Sequence, residues 1–161
     1  MTRTLTRHPH PALSAEERDA VLARDVPAVL AFVDGNGFPR MVPCWYLWDS
    51  RAFYVTSERD KFHVRCLRRN DRASICVDIE DVVAGEHRSN RQVKAVGRVN
   101  IFDDDPGGSY WRRIRARYLG SASLPDDITL PNDRVVIALE PERLTAHGGD
   151  LVLKEPRRHG R

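Results

Sequence analysis

The stretch AVLAFVDGNGFPRMVPCWYLWDSRAFYVTSERDKFHVRCLRRNDR, residues 28–72, decides the fold of this chain. Residues 28–33 are continuously apolar, and the following segment DGNG at 34–37 tolerates the positive φ angles of a tight turn. Further apolar segments at 41–47 and 53–57 are separated by a short polar turn. The pattern predicts three consecutive strands arranged as an antiparallel meander.

Helices are predicted on either side of these strands. Ser14 and Glu17 form a capping-box pattern, which predicts a first helix that ends by Asp25. Asp60 is a candidate N-cap for a second helix running to about residue 70. Aromatic and apolar residues recur at helical spacing over 109–119, which predicts a third helix.

The later strands are predicted at 73–79, 93–102 and 135–139, with a polar loop through Gly85 and Asn90 between the first two. Sequential, clustered strands indicate an α+β domain, mainly β, built on an antiparallel sheet or a small barrel. A parallel doubly wound sheet would need alternating strands and helices, and the sequence lacks that pattern.

Length and composition favour one domain that lies outside the membrane. The chain has 161 residues, of which 41% are hydrophobic and 30% charged, and no apolar run approaches the roughly 20 residues that a spanning helix needs. We expect a flexible N-terminus over 1–12, one domain over 13–147 and a flexible basic tail over 148–161. The first residues lack the apolar stretch of a secretory signal, so we expect a cytoplasmic protein.

Cysteine, histidine and arginine usage narrows the chemistry. Three cysteines without CxxC spacing indicate reduced thiols, and the histidines lack a second strong ligand at suitable spacing, so no metal site is expected. The net charge of +3 is modest for a nucleic-acid binder. The arginines of 112–117 fit a solvated face or a nucleic-acid contact, and we do not expect a nucleic-acid partner.

A candidate phosphate site follows the third strand. If the chain stays extended, Ser57, Arg59 and Lys61 share one face, and the start of the next helix points its amides at the same place. A phosphate would meet a hydroxyl group, two cations and a helix N-terminus there. A solvated, charged turn explains the same spacing equally well.

Pro43 marks a possible binding edge. A proline cannot donate to a strand ladder and is confined to edges or bulges, so neighbouring backbone groups stay unpaired. A planar heterocycle could satisfy those groups, with Trp45 or Met41 packing nearby. An edge strand covered by another subunit is the simpler account of the proline alone.

Several segments together resemble one family. They are RMV at 40–42, FYVT at 53–56, Arg59 to Lys61, LRRNDRASICVD at 67–78 and RQVKAVGRV at 91–99. In this order they resemble the pyridoxamine 5'-phosphate oxidase-like flavin split-barrel family over residues 13–139. The resemblance implies a six-stranded antiparallel split β-barrel with flanking helices, and a homodimer that holds FMN or the deazaflavin coenzyme F420 between its subunits.

The resemblance also implies a function. It is an oxidoreductase that transfers hydride or electrons to a small organic acceptor, with a non-catalytic carrier of a flavin, haem or tetrapyrrole as the alternative. The segment AHGGD at 146–150 stands where the oxidases that make the vitamin carry an Arg-Leu-His-like motif, so vitamin synthesis is not expected. No catalytic residue is implied, because the cofactor supplies the chemistry.

The cofactor-binding residues implied by the resemblance fall into three groups. The flavin ring and chain would lie along the second strand, the phosphate would lie near the start of the second helix, and one residue would reach the flavin from the partner subunit. The family's lysine falls at His63 in this chain, with Lys61 two residues earlier, so both remain candidates for that position. The full set is Arg40, Met41, Val42, Pro43, Trp45, Thr56, Ser57, Arg59, Lys61, His63 and Gln92.

Overall fold

The structure is a computed structural model that describes residues 10–83, 87–120 and 133–151. Over these residues three helices and seven strands follow one another, with a short 3-10 turn at Pro106–Gly108 before the last helix. In chain order they are α1 (Ala15–Leu22), β1 (Ala28–Val33), β2 (Pro39–Cys44), β3 (Leu47–Trp48), β4 (Phe53–Glu58), α2 (Phe62–Arg69), β5 (Arg72–Val83), β6 (His87–Phe102), α3 (Ser109–Leu119) and β7 (Arg134–Leu151).

All seven strands form one antiparallel sheet in the order β2-β1-β5-β6-β7-β4-β3. The strands β2 and β3 lie at opposite edges of this sheet, yet only Trp45 and Tyr46 separate them in the chain. Three Cα–Cα steps span at most about 11 Å, so the sheet must curl until its two edges approach each other. The predicted α+β, mainly β, antiparallel split barrel is therefore confirmed, with seven strands instead of six.

The barrel core follows the alternation along the strands. In β1 and β4 the odd and even positions differ in burial, because successive side chains point to opposite faces of the sheet. The inward positions meet in a single apolar cluster, which also receives side chains of α1 and α2. Its largest fully buried members are Tyr46, Phe53, Leu22, Leu30, Leu67, Ile75, Ile137 and Leu139.

The two N-terminal helices begin differently. The predicted capping box at α1 is confirmed, because Ser14 Oγ accepts from the Glu17 amide at 3.2 Å and a Glu17 carboxylate oxygen accepts from the Ser14 amide at 2.8 Å. The predicted N-cap at Asp60 is wrong. Lys61 occupies the N-cap of α2 without a side-chain hydrogen bond, because a turn that joins the Lys61 amide to the Glu58 carbonyl precedes the helix.

The predicted three-strand meander is also wrong. β4 pairs with β7 rather than with β2. The strand expected over 41–47 ends at Cys44, because the chain crosses the split where Tyr46 turns into the core and donates its hydroxyl to the Leu22 carbonyl at 3.1 Å. This crossing separates the first hairpin from the second.

Strand pairing extends further than the sequence predicts. Asn90 lies within β6 opposite Glu80 rather than in a loop, whereas Gly85 lies outside the described residues. β7 continues to Leu151, beyond the expected domain boundary at 147. Residues 1–9 and 152–161 of the predicted flexible ends lie outside the described residues, and Ala12 forms a bridge with His147.

One arginine fixes α3 against the end of α1. Arg117 is 15% exposed, and its guanidinium donates to the carbonyls of Leu22 and Arg24 at 2.6 Å each and of Tyr46 at 3.3 Å. The Tyr118 hydroxyl donates to a carbonyl in the same loop region. Arg117 is therefore a structural anchor rather than part of a solvated basic face.

None of the helices in the described ranges is both long enough and apolar enough to cross a bilayer.

Candidate functional site

A cavity of about 220 Å³ lies at the split of the barrel. One wall comes from β1, β2 and the crossing segment, the opposite wall comes from β4 and the start of β7, and α3 covers one end. The cavity lies here because β2 and β4 approach each other without pairing. Its lining residues are Leu30, Val42, Pro43, Cys44, Trp45, Val55, Thr56, Ser57, His63, Trp111, Ile114, Arg115 and Arg134.

The β2 wall is flat, apolar and open along its backbone. Among the described strands β2 pairs with β1 alone, so its other edge faces the split. Pro43 lies on this edge strand, as its missing N–H predicts. Trp45 stacks on Tyr118 with ring centroids 4.8 Å apart and planes within 4°, which holds the indole in one orientation.

The thiol of Cys44 also lies on this wall. Burial raises its pKa to about 12, so the group stays protonated near neutral pH. A protonated thiol is a poor nucleophile. The thiol of Cys44 is therefore inert near neutral pH.

The β4 wall is polar. Ser57 is 7% exposed, and its Oγ lies 2.8 Å from His63 Nε2 at the first turn of α2. Thr56 Oγ1 accepts from Arg134 Nη2 at 3.2 Å. Burial, and then the charge of Lys61, lower the pKa of His63, so its imidazole is neutral at pH 7.

Two arginines bring positive charge into the cavity. The Arg115 guanidinium lies 4.8 Å from the Trp111 ring centroid and 5.9 Å from that of Trp45. Within the described part of the chain, the buried Nε atoms of Arg115 and Arg134 have no hydrogen-bond partner. Burial lowers the pKa of Arg134, and the neighbouring charge of Arg115 lowers it further against the pull of three acidic residues. The arrangement favours an anion in the cavity.

The structure brings together six of the predicted site residues. Strand β2 with the crossing segment, strand β4 and the start of α2 place them around one cavity, so the β2 wall and the β4 wall face each other. The six are Val42, Pro43, Trp45, Thr56, Ser57 and His63. Of the two candidates for the family's lysine position, His63 lines the cavity and Lys61 does not.

The two predicted phosphate-binding cations lie outside the cavity lining. Arg59 donates to the Asp103 carboxylate at 2.6 Å. Lys61 Nζ lies 3.1 Å from a Glu58 carboxylate oxygen. The two cations that the sequence pattern assigned to a phosphate thus form ion pairs with acidic side chains on the outer surface.

Three further predicted residues lie outside this cavity. Arg40 lies with its guanidinium 5.5 Å from the Phe62 ring, and Met41 is 75% exposed. Gln92 lies in β6, between Asp78 and His147 in the sheet register. None of these three residues lines the cavity among the described residues.

The sequence did not reveal the two cavity arginines or Trp111. Arg115 lies in the basic, aromatic segment that was noted, but helical spacing alone could not separate it from Arg117. No local sequence pattern indicated that Arg134 lines a site, because its contact with Thr56 joins positions far apart in the chain. Trp111 belongs to the pattern that predicted α3 rather than a site.

Comparisons with known proteins agree with this architecture. A family model described as pyridoxamine 5'-phosphate oxidase matches residues 14–148. No curated protein matches the sequence significantly.

Solved structures share the fold at low sequence identity. An F420 reductase is 24% identical, with a TM-score of 0.65 over 78% of this chain and 94% of that chain. An FAD-binding protein from Mesorhizobium loti is 22% identical, with a TM-score of 0.63 over 86% and 97% of the two chains. An FAD and haem binding protein from Mycobacterium smegmatis is 18% identical, with a TM-score of 0.65 over 89% and 73%.

Proposed function

The chain belongs to the pyridoxamine 5'-phosphate oxidase family, and on that premise we propose that it is a flavin- or deazaflavin-dependent oxidoreductase acting on a small organic acceptor. The observation that carries the proposal is the cavity at the split, where a flat apolar wall with an open strand edge faces a cationic, hydroxyl-bearing wall. FMN and F420 both combine a planar ring with a phosphate-bearing chain, and the two walls match those two parts.

The residues of the cavity fit such a cofactor. Val42, Pro43 and Trp45 would border the ring, and the unpaired edge of β2 offers backbone donors and acceptors to its heteroatoms. The polar wall offers the Thr56 and Ser57 hydroxyls, and Arg115 and Arg134 add two positive charges to the cavity lining. The bound cofactor would supply the hydride or electron transfer, while the chain binds it, orients it and excludes water.

We further propose a cytoplasmic homodimer. Met41, Phe38 and Phe62 leave apolar surface exposed around β2 and α2, beside the split. In such a dimer Gln92, which lies outside the cavity of its own chain, would approach the ring bound by the second copy. Met41 and Arg40 would then border the same ring from the rim of β2.

A carrier of flavin or haem is the second candidate. It is favoured by the solved FAD and haem binding protein that shares this fold. Storage and catalysis both require that the cofactor binds in this cavity. The two functions therefore differ in turnover rather than in the affinity for the cofactor.

Parallel fluorescence titrations with FMN and F420 test the proposal and choose between the cofactors. We expect micromolar or tighter binding of one of them, and at least tenfold weaker binding in Trp45→Ala, which removes the aromatic wall. Arg113→Ala, an exposed position on α3 outside the cavity lining, is the matched control and should bind as the wild type does.

Failure to bind either cofactor would refute the proposed function. Where binding is found, the reduced cofactor is then mixed with a panel of quinones and nitroaromatic acceptors under anaerobic conditions. Oxidation of the cofactor faster than in the protein-free control supports the enzyme. Stoichiometric binding without turnover on any acceptor identifies the carrier instead.

A further inference from the structure

The phosphate clamp expected from the sequence is already neutralised in the structure. Asp103 accepts from Arg59 and also pairs with Arg68, and Glu58 pairs with Lys61. Recruiting either predicted cation to a ligand would break an ion pair outside the cavity. An anion in the cavity therefore needs other partners.

Arg115 and Arg134 are the cations that line the cavity itself. Arg115 comes from α3 and Arg134 from the first position of β7, so two separate elements direct positive charge into one space. For neither arginine does the part of the chain that the structure describes contain a carboxylate within salt-bridge distance. Both side chains are partly buried, and the carboxylates that act on Arg134 lie beyond ion-pair distance. Because the like charges of the two arginines repel each other, an anion in contact with both would be stabilised.

Their surroundings hold both side chains in place. Thr56 Oγ1 accepts from one Nη of Arg134. The Trp111 and Trp45 rings lie beside Arg115, so aromatic contacts hold its guanidinium. Within the described residues, the buried Nε atoms of both arginines have no acceptor. Two guanidinium groups that are held at the lining of one cavity form a receptor for an oxyanion, which guanidinium groups bind through several hydrogen bonds at once.

We propose that Arg115 and Arg134 form the anion subsite of the cavity and bind the phosphate of the ligand in place of Arg59 and Lys61. Taking that phosphate to be part of a flavin or deazaflavin rests on the proposed function, whereas the two-arginine subsite follows from the geometry. In this chain the anion is thus held by α3 and β7 rather than by the loop before α2.

The experiment compares ligands with and without the phosphate. The dissociation constants of FMN and riboflavin are measured by fluorescence quenching for wild type, Arg115→Met and Arg134→Met. If F420 is the cofactor, the pair is F420 and its chromophore without the phosphate-bearing side chain. We expect each variant to lose at least tenfold in affinity for the phosphorylated ligand, while its affinity for the phosphate-free ligand changes less than threefold.

Arg59→Met and Lys61→Met are the matched controls, since each removes one cation of similar length from the outer pairs. They should bind the phosphorylated ligand within threefold of the wild type. A loss of phosphate preference in these two variants, with Arg115→Met and Arg134→Met unchanged, would overturn the subsite. Thermal unfolding of each protein shows whether it is folded, and Arg134→Lys, which keeps the charge without the planar fork, replaces Arg134→Met if that variant does not fold.

A calorimetric titration with inorganic pyrophosphate at low salt separates this proposal from the proposed function. Pyrophosphate binding that Arg115→Met and Arg134→Met weaken at least tenfold supports the subsite, even if the wild type binds neither FMN nor F420. In that case the cofactor assignment fails and the anion site stands. Absence of both pyrophosphate binding and any phosphate preference would refute the subsite.

Discussion

The closed side of the barrel and the split differ in how completely their polar groups are hydrogen-bonded within the protein. On the closed side β6 and β7 approach so tightly at Gly97 that their backbones leave no room for a side chain. Between α3 and the end of α1, Arg117 places its donors on backbone carbonyls. At the split, within the described residues, β2 has one unpaired edge and the buried Nε of Arg115 has no hydrogen-bond partner. Polar groups that are hydrogen-bonded within the protein lie where the fold is held together. Donors without a partner lie at the cavity where a ligand would bind.

The largest effect is expected at the closed side, for Gly97→Ala. A Cβ atom at this position would collide with the carbonyl oxygen of Glu140, come within 2.9 Å of its carbonyl carbon and lie 3.1 Å from the amide nitrogen of Glu142. Because backbone atoms cannot move aside like a flexible side chain, the β-bulge between β6 and β7 would have to open. We expect the free energy of unfolding to fall by about 3 kcal/mol or more in urea denaturation.

Gly35→Ala is the control for this substitution. A Cβ atom there meets only the end of the Arg69 side chain at 3.7 Å, so the change in stability should stay below about 1 kcal/mol. Equal stability of the two variants would show that β6 and β7 are not packed as closely as the structure indicates.

The next prediction compares the stability of two variants on α3, Arg117→Met and Arg115→Met. Arg117→Met removes the donors of three carbonyls in a mostly buried place and should lower the free energy of unfolding by about 2–4 kcal/mol. Arg115→Met removes an unmatched buried donor together with an aromatic contact, so the two changes should offset within about 1 kcal/mol.

Urea denaturation of the two variants and of Arg113→Met, which reports the effect of the exchange at an exposed position of α3, measures the difference. If Arg115→Met proves as destabilising as Arg117→Met, then Arg115 is a structural residue and the contrast between the two sides of the barrel is broken.

The smallest effect is a pH dependence that arises at the split. His63 has a folded-state pKa below its ordinary value of 6.5, first because it is buried and then because of the charge of Lys61. As the pH falls below 6.5, the unfolded chain takes up a proton that the folded chain does not bind, so stability declines toward the lower folded-state pKa. One such group contributes a slope of at most about 1.4 kcal/mol per pH unit.

Urea denaturation between pH 5 and pH 8 should therefore show a steeper loss of stability at low pH in the wild type than in His63→Gln, which does not titrate. Above the ordinary histidine pKa the two proteins should show the same pH dependence, with a constant difference in stability that reflects the lost contact with Ser57. Parallel curves over the whole range would mean that His63 ionises in the folded protein as it does in the unfolded chain.

Local patterns predicted local structure well. The capping box at Ser14 gave the start of α1, the apolar run at 28–33 gave β1, and the spacing at 109–119 gave α3, because these signals depend on neighbours in the chain. The pairing of β4 with β7 brings together residues about eighty positions apart, and no short pattern encodes it. The first three strands therefore resembled a meander, although the chain crosses the split between the second and third.

The same limit applies to the site. Pro43, Trp45 and Ser57 were found because strand and edge patterns predict where they lie, and His63 was found through the family resemblance. Arg134 reaches the cavity only because β7 pairs with β4, so its role depends on the tertiary fold. Arg59 shows the converse, since its spacing suited a phosphate while Asp103, in a distant loop, engages it.

The crossing at Trp45 and Tyr46 has a consequence for protein synthesis. A ribosome releases β1, β2, β5 and β6 in an order that lets them pair early, but β3 and β4 emerge long before β7, the strand that joins them to the rest of the sheet. Until β7 emerges, the hairpin of β3 and β4 is connected to the C-terminal end of β2 through Trp45 and Tyr46 and has no pairing partner in the rest of the sheet. The cavity therefore has both of its walls only after the last strand has left the ribosome, so a nascent chain that stops before Arg134 cannot form it.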